Sequence, residues 1–120
     1  MAIDYSDLPL PKPTPRILDR IARKRELGIQ ERACRKHVKR RDEGRCRACG
    51  RRSTHMHHIE RRSAGGRWTF QNVVALCRLC HQFEHAALLQ IRGNPEPGEL
   101  LTIESQGAAR AYLQRGPVWR

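Results

Sequence analysis

Cysteines and histidines in the middle of this 120-residue chain have the types and spacing of metal ligands. Two Cys-x-x-Cys pairs enclose two adjacent histidines and are followed by more, in the order Cys46, Cys49, His57, His58, Asn72, Cys77, Cys80, His81 and His85. Zinc favours thiolate sulfur, and two such pairs supply the four ligands of a closed tetrahedral site. We therefore predict a structural zinc ion bound by the four paired cysteines, with unmetallated thiols as the weaker alternative.

The histidines have the spacing of a second metal site, one that stays open to a substrate. His81 and His85 are four residues apart on a predicted helix, so they share a face and can chelate one ion. His57 and His58 are neighbours on a predicted strand, whose successive side chains point to opposite faces. One of them can hold a metal while the other acts as a general base. Asn72 either orders the adjoining loop or donates its carbonyl oxygen to the metal.

Positive charge is concentrated in one part of the chain. The net charge is +12, and residues 16–52 contain fifteen Lys or Arg against five Asp or Glu. Such a block favours a polyanion, with nucleic acid as the default partner; a solvated helix surface and anionic lipid are the alternatives. The predicted nucleic-acid contacts are Lys36, Lys39, Arg40 and Arg41 in this block and Arg61, Arg62 and Arg67 in a later loop. Each loop arginine is as readily explained by solvation alone.

Four segments are expected to position these residues. They are a flexible Pro-rich tail (1–13), a basic helical segment (14–45), a zinc-stapled domain (46–104) and a C-terminal extension (105–120). Thr14 and Pro15 favour a helix start, and Gly28 predicts a stop before a second helix over about 30–43. Strands are predicted at 55–60, 73–76 and 100–104, and helices at 81–91 and 108–113.

The fold class follows from these elements and from the composition. Hydrophobic residues make up 38% of the chain and aromatic residues 5%, so the core is small and a metal is expected to support it. We predict a small α+β protein. The absence of a signal-peptide pattern and of an apolar run of about 18 residues predicts no membrane association. The paired cysteines favour metal binding in a reducing compartment, and hence a cytoplasmic location.

The segment CRACGRRSTHMHHIERRSAGGRWTFQNVVALCRLCHQFEH, residues 46–85, resembles the HNH motif of the ββα-metal, or His-Me finger, nucleases. Its paired cysteines are similar to those of the subgroup whose nuclease motif lies in a four-cysteine zinc module. The resemblance implies a treble-clef-like core, one catalytic divalent metal and hydrolysis of phosphodiester bonds in DNA. It also implies a small protein of a bacterial cell or phage-infected host, with DNA-processing proteins as candidate partners.

The resemblance assigns a role to each matching residue. His58 would be the general base, His57 and His81 metal ligands, Asn72 the loop-ordering asparagine, and His85 an extra ligand as in the colicin-type nucleases. Many relatives have Asp where His57 stands. Imidazole is a better ligand for transition metals than for Mg²⁺, so a histidine at this position leaves the catalytic metal open among Mg²⁺, Mn²⁺, Ni²⁺ and Zn²⁺. His55 is either a further ligand or a surface histidine.

A rival function is a non-catalytic zinc-binding adaptor for nucleic acid. Such a protein would use the four cysteines and the basic helices. It would have no use for two adjacent histidines, Asn72 and His81 together, so the nuclease is the favoured prediction.

Overall fold

The computed structural model describes residues 9–115 and confirms the α+β class. Within this range lie three helices, α1 (Pro15–Arg41), α2 (Arg78–His85) and α3 (Gly107–Gln114), and four strands, β1 (His55–His58), β2 (Val73–Leu76), β3 (Leu89–Gly93) and β4 (Leu101–Ser105). The strands form two antiparallel pairs, β1–β2 and β3–β4. Most of the predicted N-terminal tail, and residues 116–120 of the predicted extension, fall outside the described residues.

The basic segment forms one helix rather than two. Thr14 Oγ1 accepts a hydrogen bond from the Ile17 N–H at 3.3 Å, and the helix continues unbroken through Gly28. The predicted stop at Gly28 was wrong because an internal glycine costs a helix only about 1 kcal/mol. The helix ends where the backbone becomes left-handed, at Glu43 (φ 56°) and Gly44 (φ 68°), and the Gly44 N–H bonds to the Lys39 carbonyl at 3.0 Å.

Strand β2 is the centre of the fold, with all four of its residues buried. Its Val73 and Ala75 pack with Cys34 and Val38 of α1. The alternate residues of β2 face a second cluster, which contains the four paired cysteines, Leu89, Ile91 and Ala109. Since α3 contributes Ala109 to this cluster, the C-terminal helix packs on the same core as the zinc-binding segment.

Helix α2 is shorter than predicted, and a strand follows it. The predicted helix over 81–91 instead begins at Arg78 and ends at His85. Ala87 adopts a left-handed backbone (φ 60°), and burial then alternates along β3, with Leu89 and Ile91 inside and Gln90 outside. This period of two is that of a strand with one buried face. The predicted strand at 100–104 and helix at 108–113 are confirmed to within one residue as β4 and α3.

A buried ion-pair network around Asp42 ties α1 to the rest of the protein. The Asp42 carboxylate is fully buried and accepts hydrogen bonds from Arg41, from Arg47 and from the Ala75 N–H, at 2.8 to 3.0 Å. The Arg41 guanidinium, 5% exposed, also donates to the carbonyl oxygens of Phe70 and Val73. These contacts do not fit the phosphate contact predicted for Arg41, whose side chain lies inside the protein.

Across residues 9–115, no helix is both long and apolar enough to cross a membrane.

Candidate active site and zinc site

The four paired cysteines converge on one buried point. Their sulfur atoms all lie within 4.8 Å of one another, and Cys49 Sγ and Cys77 Sγ are 3.6 Å apart. Tetrahedral zinc with Zn–S bonds of ~2.3 Å requires sulfur atoms about 3.8 Å apart. The donor set and its spacing therefore fit a closed zinc site.

Local backbone geometry sets each pair of sulfurs. In the first pair, Gly50 adopts a positive φ of 79° and its N–H bonds to the Cys46 carbonyl at 2.8 Å, which turns the chain back on itself. In the second, Cys77 caps α2 and its sulfur accepts from the Cys80 N–H at 3.4 Å. A hydrogen bond from Cys80 lowers the pKa of Cys46 to about 5, and the same contact raises the pKa of the Cys80 thiol, so the metal-free pair shares a proton that zinc binding would release.

Tyr112 of α3 covers the zinc site from outside. Its hydroxyl lies 3.7 Å from Cys77 Sγ and 3.9 Å from Cys49 Sγ. The Arg51 guanidinium stacks over the Tyr112 ring at 4.0 Å. Sequence reasoning did not find Tyr112, because it lies 32 residues beyond Cys80 and only the packing of α3 brings it to the sulfurs.

A cluster of imidazole rings lies between β1 and α2. The ring centroid of His81 is 5.8 Å from that of His57, 4.6 Å from that of His85 and 5.0 Å from that of His55. In the described part of the chain, the cysteines alone bring three or more ligand atoms within 4.8 Å of one another. The imidazole nitrogens are thus neighbours without converging as closely as the sulfurs.

Burial favours the neutral form of two histidines in this cluster, His57 and His81. Burial lowers the pKa of His57 to about 4, with further lowering by the neighbouring His81 and His58. Burial and the nearby His85 and His55 also hold the pKa of His81 below its usual value. Neutral imidazole has a free lone pair, so at neutral pH this donor set fits a divalent transition metal.

His58 points to the other face of β1, as the strand geometry requires. Its ring packs edge-on against Trp68 at 4.4 Å, and Arg35 of α1 stacks on Trp68 at 4.8 Å. Burial, followed by the charges of Arg62 and Arg35, lowers the pKa of His58. Its Nε2 is buried and has no hydrogen-bond partner within residues 9–115. An unsatisfied buried polar atom costs about 1–3 kcal/mol, so this nitrogen can gain from a partner supplied by water or substrate.

Asn72 closes the loop between β1 and β2. Its Oδ1 accepts from the Glu60 N–H at 2.7 Å, and its Nδ2 donates to the carbonyl oxygens of Glu60 and Arg67 at 3.1 and 3.0 Å. These are the bonds of the loop-ordering role, since the side chain spans both ends of the loop. Gly66 is needed in the same loop because a Cβ there would lie 1.7 Å from the Glu60 carbonyl oxygen.

One open cleft of about 290 Å³ joins these elements. Both adjacent histidines line it although their rings leave opposite faces of β1. The lining also includes Arg61, Arg62, His81, Glu84 and His85. The sequence analysis did not predict Glu84 as a site residue. Its spacing of three residues from His81 on one helix could have indicated that the two side chains share a face.

The predicted DNA-contacting residues divide by exposure. Lys36, Lys39 and Arg40 are exposed on α1, and Arg61, Arg62 and Arg67 are exposed on the β1–β2 loop. Arg61 and Arg62 also border the cleft, whereas the buried Arg41 belongs to the Asp42 network.

The fold and these two sites define a small zinc-stapled ββα-metal domain, in which β1, a loop, β2 and α2 carry the histidines. Residues 33–87 match the family model for HNH endonuclease. The four-cysteine cluster fits its zinc-containing subgroup. No curated protein and no solved structure gives a match. This match supports a nuclease or related nucleic-acid function.

Proposed function

We propose that this protein is a metal-dependent endonuclease that hydrolyses phosphodiester bonds in DNA. The observation that carries the proposal is the arrangement of the adjacent histidines. His57 and His58 leave β1 on opposite faces, yet both line the cleft that His81 and His85 also line. A ligand and a base that approach one substrate from different directions need this separation.

In the proposed site His57, His81 and His85 hold the divalent metal, and Asn72 keeps the loop beside them in place. The bound metal would polarise the scissile phosphate and stabilise the departing 3′ oxygen. Burial keeps His58 neutral, and no group within residues 9–115 is hydrogen-bonded to its Nε2, so it can take the proton from the attacking water. The guanidinium groups of Arg61 and Arg62 border the cleft, where they can hold phosphate oxygens.

The DNA strand outside the cleft would contact the basic face of α1. Lys36, Lys39 and Arg40 are exposed there, and the helix has no acidic residue in its last turn to offset them. Arg67 on the loop would add a further phosphate contact. The bacterial or phage setting and the cytoplasmic location remain predictions.

The test is incubation of supercoiled plasmid with zinc-loaded protein and Mg²⁺, Mn²⁺, Ni²⁺ or further Zn²⁺, read on a gel. We expect nicked or linear DNA with at least one of these ions. Gln82→Ala, an exposed change on α2, should cut like the parent, and His81→Ala should not cut. Protein that binds the plasmid but leaves it intact with every ion would contradict the proposal and favour the adaptor.

A further inference from the structure

Glu84 occupies a position on α2 that the proposed mechanism does not use. It follows His81 by three residues and precedes His85, so all three side chains project from the face of α2 that borders the cleft. Only 14% of the Glu84 side chain is exposed. A carboxylate this well buried is costly unless charged or polar partners compensate for the lost water.

The partners of Glu84 are a histidine and an arginine. Its Oε2 lies 3.7 Å from His57 Nδ1, and its Oε1 lies 3.8 Å from Arg61 Nη2. The carboxylate therefore stands between a buried imidazole on β1 and a guanidinium on the loop. Both distances are longer than those of direct hydrogen bonds but short enough for an electrostatic contact.

The chemistry of this contact is directional. A neutral imidazole has a proton on only one of its two nitrogens. A carboxylate only accepts hydrogen bonds, so beside Nδ1 it favours the tautomer with the proton on that nitrogen. The lone pair is then on Nε2, where a metal can use it. A carboxylate behind a ligating histidine orients the ring and makes it a better donor.

We propose that Glu84 is a positioning residue that holds His57 in the Nδ1–H form with Nε2 free for the catalytic metal, while Arg61 steadies its second oxygen. The proposal rests on the proposed function for the presence of that metal. The tautomer itself is a property of the metal-free histidine cluster and can be measured without any DNA cleavage.

The first measurement is the tautomer of His57 in ¹⁵N-labelled, zinc-loaded protein at pH 7. Long-range ¹H–¹⁵N correlation spectra distinguish the two ring nitrogens. We expect Nδ1–H in the parent and a substantial Nε2–H population in Glu84→Gln. The glutamine amide nearly preserves shape but can donate as well as accept, so it removes the preference. Gln82→Ala, on the exposed side of the same helix, should retain the parental tautomer.

The second measurement is Co²⁺ affinity, by titration of the same zinc-loaded variants. Thiolate-to-cobalt absorption reports any exchange into the cysteine site, so binding at the histidines can be isolated. Loss of a supporting carboxylate should weaken that binding about 10- to 100-fold, with an unchanged circular dichroism melt. Gln82→Ala should bind Co²⁺ like the parent.

The outcomes separate this inference from the proposed function. An identical His57 tautomer in the parent and Glu84→Gln would overturn the positioning role, and so would a shifted tautomer with unchanged Co²⁺ affinity. Complete loss of Co²⁺ binding in Glu84→Gln without a tautomer change would make Glu84 a direct ligand instead. If both measurements follow expectation but the parent cuts no DNA, the positioning role stands and the endonuclease proposal falls.

Discussion

Adjacent histidines can perform different chemistry in this site because a strand sends them to opposite faces. His57 turns toward α2, where its ring centroid lies 5.8 Å from that of His81, whereas His58 turns toward Trp68 and the α1 side. The environments also differ in polar contacts, since His57 has a carboxylate 3.7 Å away and His58 Nε2 has no partner among residues 9–115. Under the proposed function, the same residue type binds metal at one position and transfers a proton at the next.

This division predicts two distinct ways to lose cleavage. His58→Ala removes the proposed base but no proposed ligand, so cleavage should fall about 10²- to 10⁴-fold while metal affinity stays near the parental value. His81→Ala should lose cleavage through weaker metal binding. Cleavage rates and calorimetric titration of the metal into each variant separate the two routes. If His58→Ala cleaves DNA at the parental rate, or if it no longer binds the metal, the assigned roles are wrong.

Asp42 predicts a pH dependence of stability. Burial alone would raise its pKa, but hydrogen bonds from Arg41, from the Ala75 N–H and from Arg47 outweigh this effect, so the pKa of Asp42 in the folded protein lies below its unfolded value. A depressed carboxyl pKa stabilises the fold above the unfolded value of ~3.9, and this contribution is lost as the pH falls through the folded pKa. Asp42→Asn should therefore cost about 3–5 kcal/mol at pH 7.

The measurement is urea unfolding of zinc-loaded protein between pH 7 and about 3. The gap in unfolding free energy between the parent and Asp42→Asn should be constant above about pH 5 and narrow below 4. Acid release of zinc affects both proteins and cancels in the difference. Glu104→Gln, an exposed change on β4, should stay within about 0.5 kcal/mol of the parent throughout. If the difference in unfolding free energy between the parent and Asp42→Asn were the same at pH 7 and at about pH 3, the ionised Asp42 carboxylate would not be the stabilising group.

At the scale of elements, β2 and α3 link the four-cysteine site to the histidine cleft. Strand β2 is buried on both faces, with α1 on one side and the zinc cluster on the other. Its register with β1 places His57 opposite Val74 and His58 opposite Val73, so the packing of β2 fixes which way each histidine points. Helix α3 then closes the zinc side through Ala109 and Tyr112.

The contact between Tyr112 and two sulfurs predicts a role for α3 in zinc retention. Tyr112→Phe removes the hydroxyl near Cys49 and Cys77 but keeps the ring that packs on Phe83. We expect zinc release to a chelator to be about 10-fold faster, at the lower end of the effect of a lost outer-shell hydrogen bond. Leu113→Ala in the same helix serves as the packing control, since it weakens the contact of α3 without touching a sulfur. If Tyr112→Phe and the parent release zinc at the same rate, the hydroxyl does not help to retain zinc and α3 contributes only packing.

Local signals and long-range packing account for what the sequence could and could not predict. The cysteine pairs, the strand at 73–76 and the helix cap at Thr14 depend on neighbours in the chain, and the structure has each of them. The helix over 81–91 was overextended because Ala86 to Leu89 suit either a helix or a strand, and only pairing of Ile91 with Ile103 selects β3. Arg41 was predicted to be a surface cation because the sequence does not show that the fold places the Val73 carbonyl of β2 within hydrogen-bond distance of its guanidinium.

The whole molecule combines a small core with a long basic helix. Residues 15–33 of α1 have no buried member, so about two thirds of the helix projects beyond the core while Cys34 and Val38 anchor its end. The exposed cations nearest the anchor are therefore held rigidly relative to the zinc-stapled domain. A rigid basic surface next to the cleft can place DNA as well as attract it.

This arrangement predicts a salt-dependent contribution from the anchored end of α1. Replacing Lys36, Lys39 and Arg40 together with Ala should weaken binding to all duplex sequences alike, because phosphate contacts carry no sequence information. The slope of log affinity against log salt should flatten by about 0.9 for each lost phosphate contact. Fluorescence anisotropy with a labelled duplex at several salt concentrations measures both quantities, and Arg41 is left intact because its loss would damage the core.

The control for this variant is Arg92→Ala with Arg110→Ala, two exposed cations on the opposite sheet and helix, β3 and α3. It removes positive charge but not from α1, so long-range attraction falls slightly while the slope should stay near the parental value. A triple variant with the parental slope would place the DNA away from α1. Equal flattening by both variants would mean that net charge, rather than the anchored helix, determines DNA binding.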